Sequence, residues 1–167
     1  VHPCFVKLKS DIAKVSNEIN AVVVNDSVIG KNIFEGPGAG AGPTGASVMS
    51  DLMDIIRGTY NYPLGVSMKK KKKLKIQKID DLSFPYYLRI TAKDKAGVMA
   101  KISKALSKRK ISIESIIQKP SKRSNFAEII LITHTVKESS LLSSIKQIKR
   151  LPEVSSSVKF IRIEDSL

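Results

Sequence analysis

The sequence predicts an α+β chain in which a ferredoxin-like βαββαβ unit over residues 84–167 follows a shorter strand-strand-helix segment over residues 1–58. Three observations carry this reading. From Phe84 onward, apolar residues alternate between a period of two and a period near 3.6, in the order strand, helix, strand, strand, helix, strand. Before that, two β-branched runs flank a turn and lead through a glycine-rich stretch into one apolar helix. Between the two parts, residues 59–83 contain Pro63, Gly65, a run from Lys69 to Lys73 and Asp80-Asp81 without sustained periodicity, which marks a basic linker.

The elements follow in order. Pro3-Cys4-Phe5-Val6 is a short apolar run, and Ile12 and Val15 are spaced like one helical turn. Asn20 to Val24 and Val28 to Glu35 read as strands on either side of the turn-forming Asn25-Asp26-Ser27. The glycine-rich stretch Gly36 to Gly45 opens a helix from Ser47 to Arg57, with Val48, Leu52, Ile55 and Ile56 on one face, Met49 and Met53 widening it, and Gly58 placed to end it. A helix apolar over so wide an arc expects cover that two strands alone cannot supply. In the second part, Tyr86, Leu88, Ile90 and Ala92 share a strand face, and Val98, Ile102, Ala105 and Leu106 share a helix face. Ile111, Ile113, Ser115 and Ile117 form the next strand, and Phe126 to Thr135 an interior one, apolar on both faces. Leu141, Leu142, Ile145 and Ile148 give the second helix, and Val158 to Ile163 the last strand.

Composition narrows the function classes. With 42% hydrophobic and 26% charged residues the chain is neither a disordered tail nor a membrane protein. One cysteine cannot form an internal disulfide, so a reducing compartment, the cytoplasm, is expected, with Cys4 a buried small hydrophobe. The net charge of +14 points first to nucleic acid. It is unevenly spread, however: residues 1–58 hold 5 basic and 6 acidic residues, and no aromatic side chain interleaves with Lys69 to Lys73 as base stacking requires. Nucleic acid is therefore not the expected partner, although Tyr87, Arg89 and Lys93 share a strand face.

Several patterns could carry chemistry. Gly40-x-Gly42-x-x-Gly45 matches a dinucleotide fingerprint between a strand and a helix, but no second parallel strand ending in an acidic residue follows, so the plainer reading is a tight strand-to-helix connection. Asp51 and Asp54 fit the polar stripe of a helix, and lone His2 and His134 lack partners at metal-ligand spacing, so neither catalytic residue nor metal site is assigned. Around Asp94 a strand ends, Gly97 permits a tight bend, and the helix opening at Val98 offers N–H groups suited to a carboxylate.

Two resemblances extend this reading. His2-Pro3-x-Phe5-Val6, Asn20-Ala21-Val22, Gly36-Pro37-Gly38-Ala39-Gly40 with Pro43-Thr44, and Ser50-Asp51-Leu52 resemble, in order and spacing, the end of the catalytic core of homoserine dehydrogenase. The resemblance implies NADP or NAD as cofactor, with Gly36, Pro37, Gly38, Ala39, Gly40 and Thr44 beside its nicotinamide half. It also implies that the family's catalytic lysine, true fingerprint and substrate carboxylates lie upstream of Val1, so that this chain alone is inactive. Tyr87-Leu88-Arg89-Ile90, Asp94 to Met99, Ile111-Ser112-Ile113, Ile116-Ile117-Gln118 and Thr133-His134 are similar to the ACT regulatory domain. That similarity implies a small amino-acid effector, threonine favoured by the pathway, held by Asp94, Ala96, Gly97, Val98 and Met99 with Ser115 and Ile116 of the second strand. It further implies a homo-oligomer, at least a dimer. The alternatives are a free-standing amino-acid-sensing ACT module and, less favoured, a basic RNA-binding domain.

Overall fold

The computed structural model describes residues 2–58, 75–121 and 124–165, so the lysine run from Lys69 to Lys73 lies outside the described residues. The first half contains β1 (Cys4–Val6), a 3-10 turn (Asp11–Lys14), β2 (Ile19–Asp26), β3 (Gly30–Pro37) and α1 (Ala41–Arg57). A second 3-10 turn (Ile79–Asp81) precedes β4 (Ser83–Phe84), β5 (Tyr86–Lys93), α2 (Val98–Ser107) and β6 (Ile113–Pro120). The chain ends with β7 (Phe126–Thr133), β8 (Val136–Lys137), α3 (Glu138–Ile148) and β9 (Val154–Glu164). Two compact units result: one takes the described residues up to Lys7 and from Gln77 onward, the other those from Leu8 to Ile76.

The larger unit is the predicted ferredoxin-like fold with one strand added. Its sheet runs β1-β9-β5-β7-β6, so the four expected strands stand in the split βαβ order. Because side chains alternate along a strand, Tyr86, Leu88, Ile90 and Ala92 of β5 and Ala127, Ile129, Leu131 and Thr133 of β7 all turn to one face. There they meet Val98, Ile102, Ala105 and Leu106 of α2 and Leu141, Ile145 and Ile148 of α3 in a single buried core. The strand that the Ile111 periodicity suggested starts at Ile113, with Ile111 buried just before it, and the interior strand ends at Thr133.

Unlike the linear reading, the structure assigns Cys4–Val6 to this sheet. The strand β1 pairs in parallel with the end of β9, Cys4 opposite Arg162, Phe5 opposite Ile163 and Val6 opposite Glu164. Phe5 meets Tyr87 edge-on with ring centroids 5.3 Å apart, a favourable aromatic geometry, and Lys7 pairs with Asp165 at 3.1 Å. Cys4, expected to be buried, is exposed on this edge strand. The end of the expected linker also belongs to this unit: Ser83, with Phe84, pairs with Lys137 and Val136 in a separate two-stranded sheet, β4-β8, and the Leu82 carbonyl accepts the Glu138 N–H at 2.9 Å.

In the smaller unit β2 and β3 form the expected hairpin, but the turn comes later than Asn25-Asp26-Ser27 suggested. Asp26 still pairs with Gly30, leaving Ser27, Val28 and Ile29 as the loop. The Asp26 carboxylate accepts the N–H groups of Val28 (2.7 Å) and Ile29 (3.1 Å), and Gly30 takes the positive φ of 76° that a three-residue hairpin loop needs at its exit. The backbone N–H bonds hold the Asp26 carboxyl below its usual range, so the loop keeps its acceptor at neutral pH. The helix α1 likewise begins earlier than predicted, at Ala41 rather than Ser47, since Pro43 is tolerated in a first turn whose N–H groups have no helical partner. Gly58 ends it at φ 65°, as expected.

Candidate functional site

The glycine-rich stretch is built by close backbone approach. Gly38 donates its N–H to the Glu18 carbonyl at 2.7 Å, and a Cβ at Gly38 would overlap the Asn20 side-chain amide, so only glycine fits. Gly40 caps the helix at φ 116°, and the Thr44 N–H makes the first helical bond to its carbonyl at 3.1 Å. Pro37, Gly38, Ala39 and Thr44 line one cleft of about 210 Å³, together with Pro43 and Ser47, which sequence reasoning did not include. Gly36 lies within β3 opposite Asn20, and Gly42 and Gly45 fall inside α1. The last two glycines of the apparent fingerprint are thus helical residues. No residue of α1 is buried, and Val48, Met49, Leu52, Met53, Ile55 and Ile56 are all exposed.

At the C-terminal end of β5 lies a second cleft, of about 250 Å³. Asp94, Ala96, Gly97, Val98 and Met99, the loop residues that the ACT resemblance implies for an effector, line it, and Ala127 and Ile129 of β7 give it an apolar floor. Gly97 sits at φ 84°, turning the chain so that α2 starts against the cleft, and the Asp94 N–H is fixed by the Asn125 carbonyl at 3.0 Å. Ser115 and Ile116 do not line this cleft. Two residues beyond Ile116, Gln118 does, donating from Nε2 to Asp94 Oδ1 at 3.0 Å. Gln118 was missed because a register shift between Ile113 and Ser115 decides which β6 residues face the cleft, and that shift leaves no mark in the sequence.

Among the described residues no group of three His, Cys, Asp or Glu side chains gathers as a metal site. No helix among them is long and apolar enough to cross a membrane. On the sheet face away from the helices, β7 offers Ile130 and Ile132 opposite Arg89 and Tyr87, where an RNA-binding sheet would need stacking aromatics; its aromatic residue on that face, Phe126, stands at the start of the strand opposite Lys93.

Comparison with known proteins agrees with both halves of this picture. Residues 1–53 match the model of the homoserine dehydrogenase family, and residues 86–153 that of the ACT domain. The homoserine dehydrogenase of Helicobacter pylori is 34% identical over 165 residues, covering 99% of this chain and 39% of that protein. The chain is similar over nearly its whole length to the C-terminal part of homoserine dehydrogenases. It spans about 39% of the length of the curated relatives it matches, the Pseudomonas aeruginosa homoserine dehydrogenase (37% identical over 171 residues) being another. A solved homoserine dehydrogenase from Thiobacillus denitrificans is similar over 99% of this chain and 38% of its own, with 31% identity and a TM-score of 0.84. The homoserine dehydrogenase match includes β1, which is a strand of the sheet that carries the ACT domain.

Under the helices of the ACT unit lies a polar cluster the sequence did not reveal. Glu138, first residue of α3 and 3% exposed, accepts from Tyr86 Oη at 3.0 Å and Arg162 Nε at 2.7 Å, and its other oxygen accepts from Arg162 Nη2. Burial alone would raise the Glu138 carboxyl, but the bonds from Arg162 and Tyr86 and the charges of Arg162 and His2 outweigh it and hold the group below the usual range. Burial, then the Glu138 carboxylate, push the Tyr86 hydroxyl up, so it stays a donor. This cluster fastens the start of β5, the start of α3 and the end of β9; it faces neither cleft and is structural.

Proposed function

We propose that the protein whose C-terminal part this chain forms interconverts homoserine and aspartate semialdehyde with NADP or NAD, in the cytoplasm, and that its ACT unit binds a small amino acid as effector. The similarity to homoserine dehydrogenases supports the first statement, and the cleft at the end of β5 carries the second. Apolar Pro37, Ala39 and Pro43 with the Thr44 hydroxyl suit the flat nicotinamide end of a cofactor better than a pyrophosphate, for no cationic side chain lines that cleft. Bound there, the nicotinamide would supply the hydride chemistry, and Pro37, Gly38 and Ala39 would hold it from the β3 side of the cleft.

At the ACT cleft the α-carboxylate of the effector lies on the start of α2 and its ammonium on Asp94, one of whose oxygens is held by Gln118. The apolar floor at Ala127 and Ile129 then takes the side chain. Threonine is the favoured ligand, on family resemblance. Calorimetry on the chain with threonine, isoleucine, methionine and lysine tests this: Asp94→Ala is expected to weaken binding about tenfold or more, by loss of a charge-assisted bond, and Gln118→Ala somewhat less. Unchanged affinity in Asp94→Ala would place the site elsewhere, and absence of heat with all four amino acids would leave the loop a turn that binds nothing.

The chain is also proposed to form at least a dimer, supported by the exposed Val22, Val24 and Phe34 of the hairpin and by the uncovered apolar face of α1. Sedimentation at micromolar concentration is expected to give a dimer or larger species; a well-behaved monomer speaks against it.

A further inference from the structure

We propose that a cleft between the Lys93–Gly97 turn and the start of β9 is a second ligand site of the ACT unit, one that takes a small phosphate-bearing anion. The cleft, about 380 Å³, is lined by Lys93, Lys95 and Lys101 around a single carboxylate, Glu153, with Pro152 and Val98 as apolar walls. Lys101 is ion-paired with Glu153, and the Lys93 N–H binds the Glu153 carbonyl at 2.8 Å, which fixes the floor to the end of β5. Among the described residues, neither the Lys93 nor the Lys95 ammonium pairs with an acidic group. The cleft therefore carries a surplus of two positive charges in a concave surface that concentrates their field.

The cluster cannot neutralise itself. The Lys101 hydrogen bond, followed by the backbone N–H of Glu153 and the charges of Lys101 and Lys93, holds the Glu153 carboxyl below its usual range, so the carboxylate is already ionised, with Oε1 bonded to Lys101 and Oε2 buried without a hydrogen-bond partner. An anion from solution can balance the charge of Lys93 and Lys95. A dianion with its charge on one centre matches two spare ammonium groups, which bind phosphate as point charges, whereas a single carboxylate leaves one of them unmatched. The site also adjoins the effector cleft, with which it shares Lys93, Lys95, Ala96 and Val98. An anion that draws Lys95 to one side of this turn alters the other side, and by linkage the effector changes anion affinity by the same factor.

The test is to titrate the 167-residue chain with inorganic phosphate at constant ionic strength, following backbone amides by NMR. A saturable response at Lys95 to Lys101 is expected, about tenfold weaker in Lys93→Gln and again in Lys95→Gln, whose exposed side chains are not needed for folding. ATP forms a second arm: tighter binding than phosphate at the same amides, lost in the same variants, supports the site with a nucleotide as the phosphate source. Succinate binding as tightly as phosphate overturns the ligand class. A linear response, or one unchanged in the Lys93→Gln/Lys95→Gln double variant, overturns the site. Neither result depends on whether an amino acid binds next door.

Discussion

Replacing Glu138 by Gln is expected to destabilise the ACT unit by about 3–5 kcal/mol, the cost of leaving a buried guanidinium without its counter-ion. The geometry makes this cost hard to escape. The Arg162 side chain is only 12% exposed and both of its hydrogen bonds in this cluster go to Glu138, while Tyr86, fully buried, donates to the same carboxylate. Arg162→Met should cost about as much, and the double variant clearly less than the sum, since it leaves no unpaired charge in the core. The carboxyl is held below the ordinary glutamate value of 4.5 in the folded chain. Its contribution is therefore complete above that value and is lost as pH falls through the lower folded one. Urea unfolding should show wild type losing stability in acid more steeply than Glu138→Gln. A Glu138→Gln loss under about 1 kcal/mol, or equal acid slopes, would mean that the cluster is solvated rather than a buried pair.

What was legible in the sequence was what is local. The alternation Tyr86, Leu88, Ile90, Ala92 and the helical spacing Val98, Ile102, Ala105, Leu106 each follow from the geometry of one element, and each set is buried. The turn at Asp94 to Met99 was legible for the same reason: an acidic residue closing a strand and a glycine opening a helix are neighbours in the chain. The annexed strand was not. Three residues, Cys4 to Val6, carry no periodicity of their own, and their partner Arg162 lies at the other end of the chain. Glu138 and Arg162 are 24 residues apart on different elements, so no window of sequence contains the reason for either charge. Gln118 falls between these extremes, quoted within a recognisable motif yet assignable to the cleft only once the register of β6 is known. Motif spacing misled in one place. Gly42 and Gly45 complete a fingerprint on paper while the backbone has already become helix at Ala41.

Gly97→Val is expected to lose both fold stability and amino-acid binding, whereas Gly97→Asn should keep the fold. A Cβ at Gly97 meets nothing within 4 Å, so the damage comes from the backbone and not from a clash. At φ 84° a β-branched side chain crowds its own main chain, a strain of about 1–3 kcal/mol, while asparagine adopts this left-handed region at small cost. The strain is relieved by turning φ negative, which moves the start of α2 away from Asp94 and opens the cleft that residues 94 to 99 form. The two variants thus separate the conformational role of Gly97 from its place on the cleft wall. Denaturation of both beside wild type, with threonine calorimetry on each, reads the two effects independently. If Gly97→Val proves as stable as Gly97→Asn, the positive φ is not a constraint on this turn. If Gly97→Asn folds like wild type yet binds no threonine that wild type binds, the side chain itself fills ligand space, and the effector lies directly over residue 97.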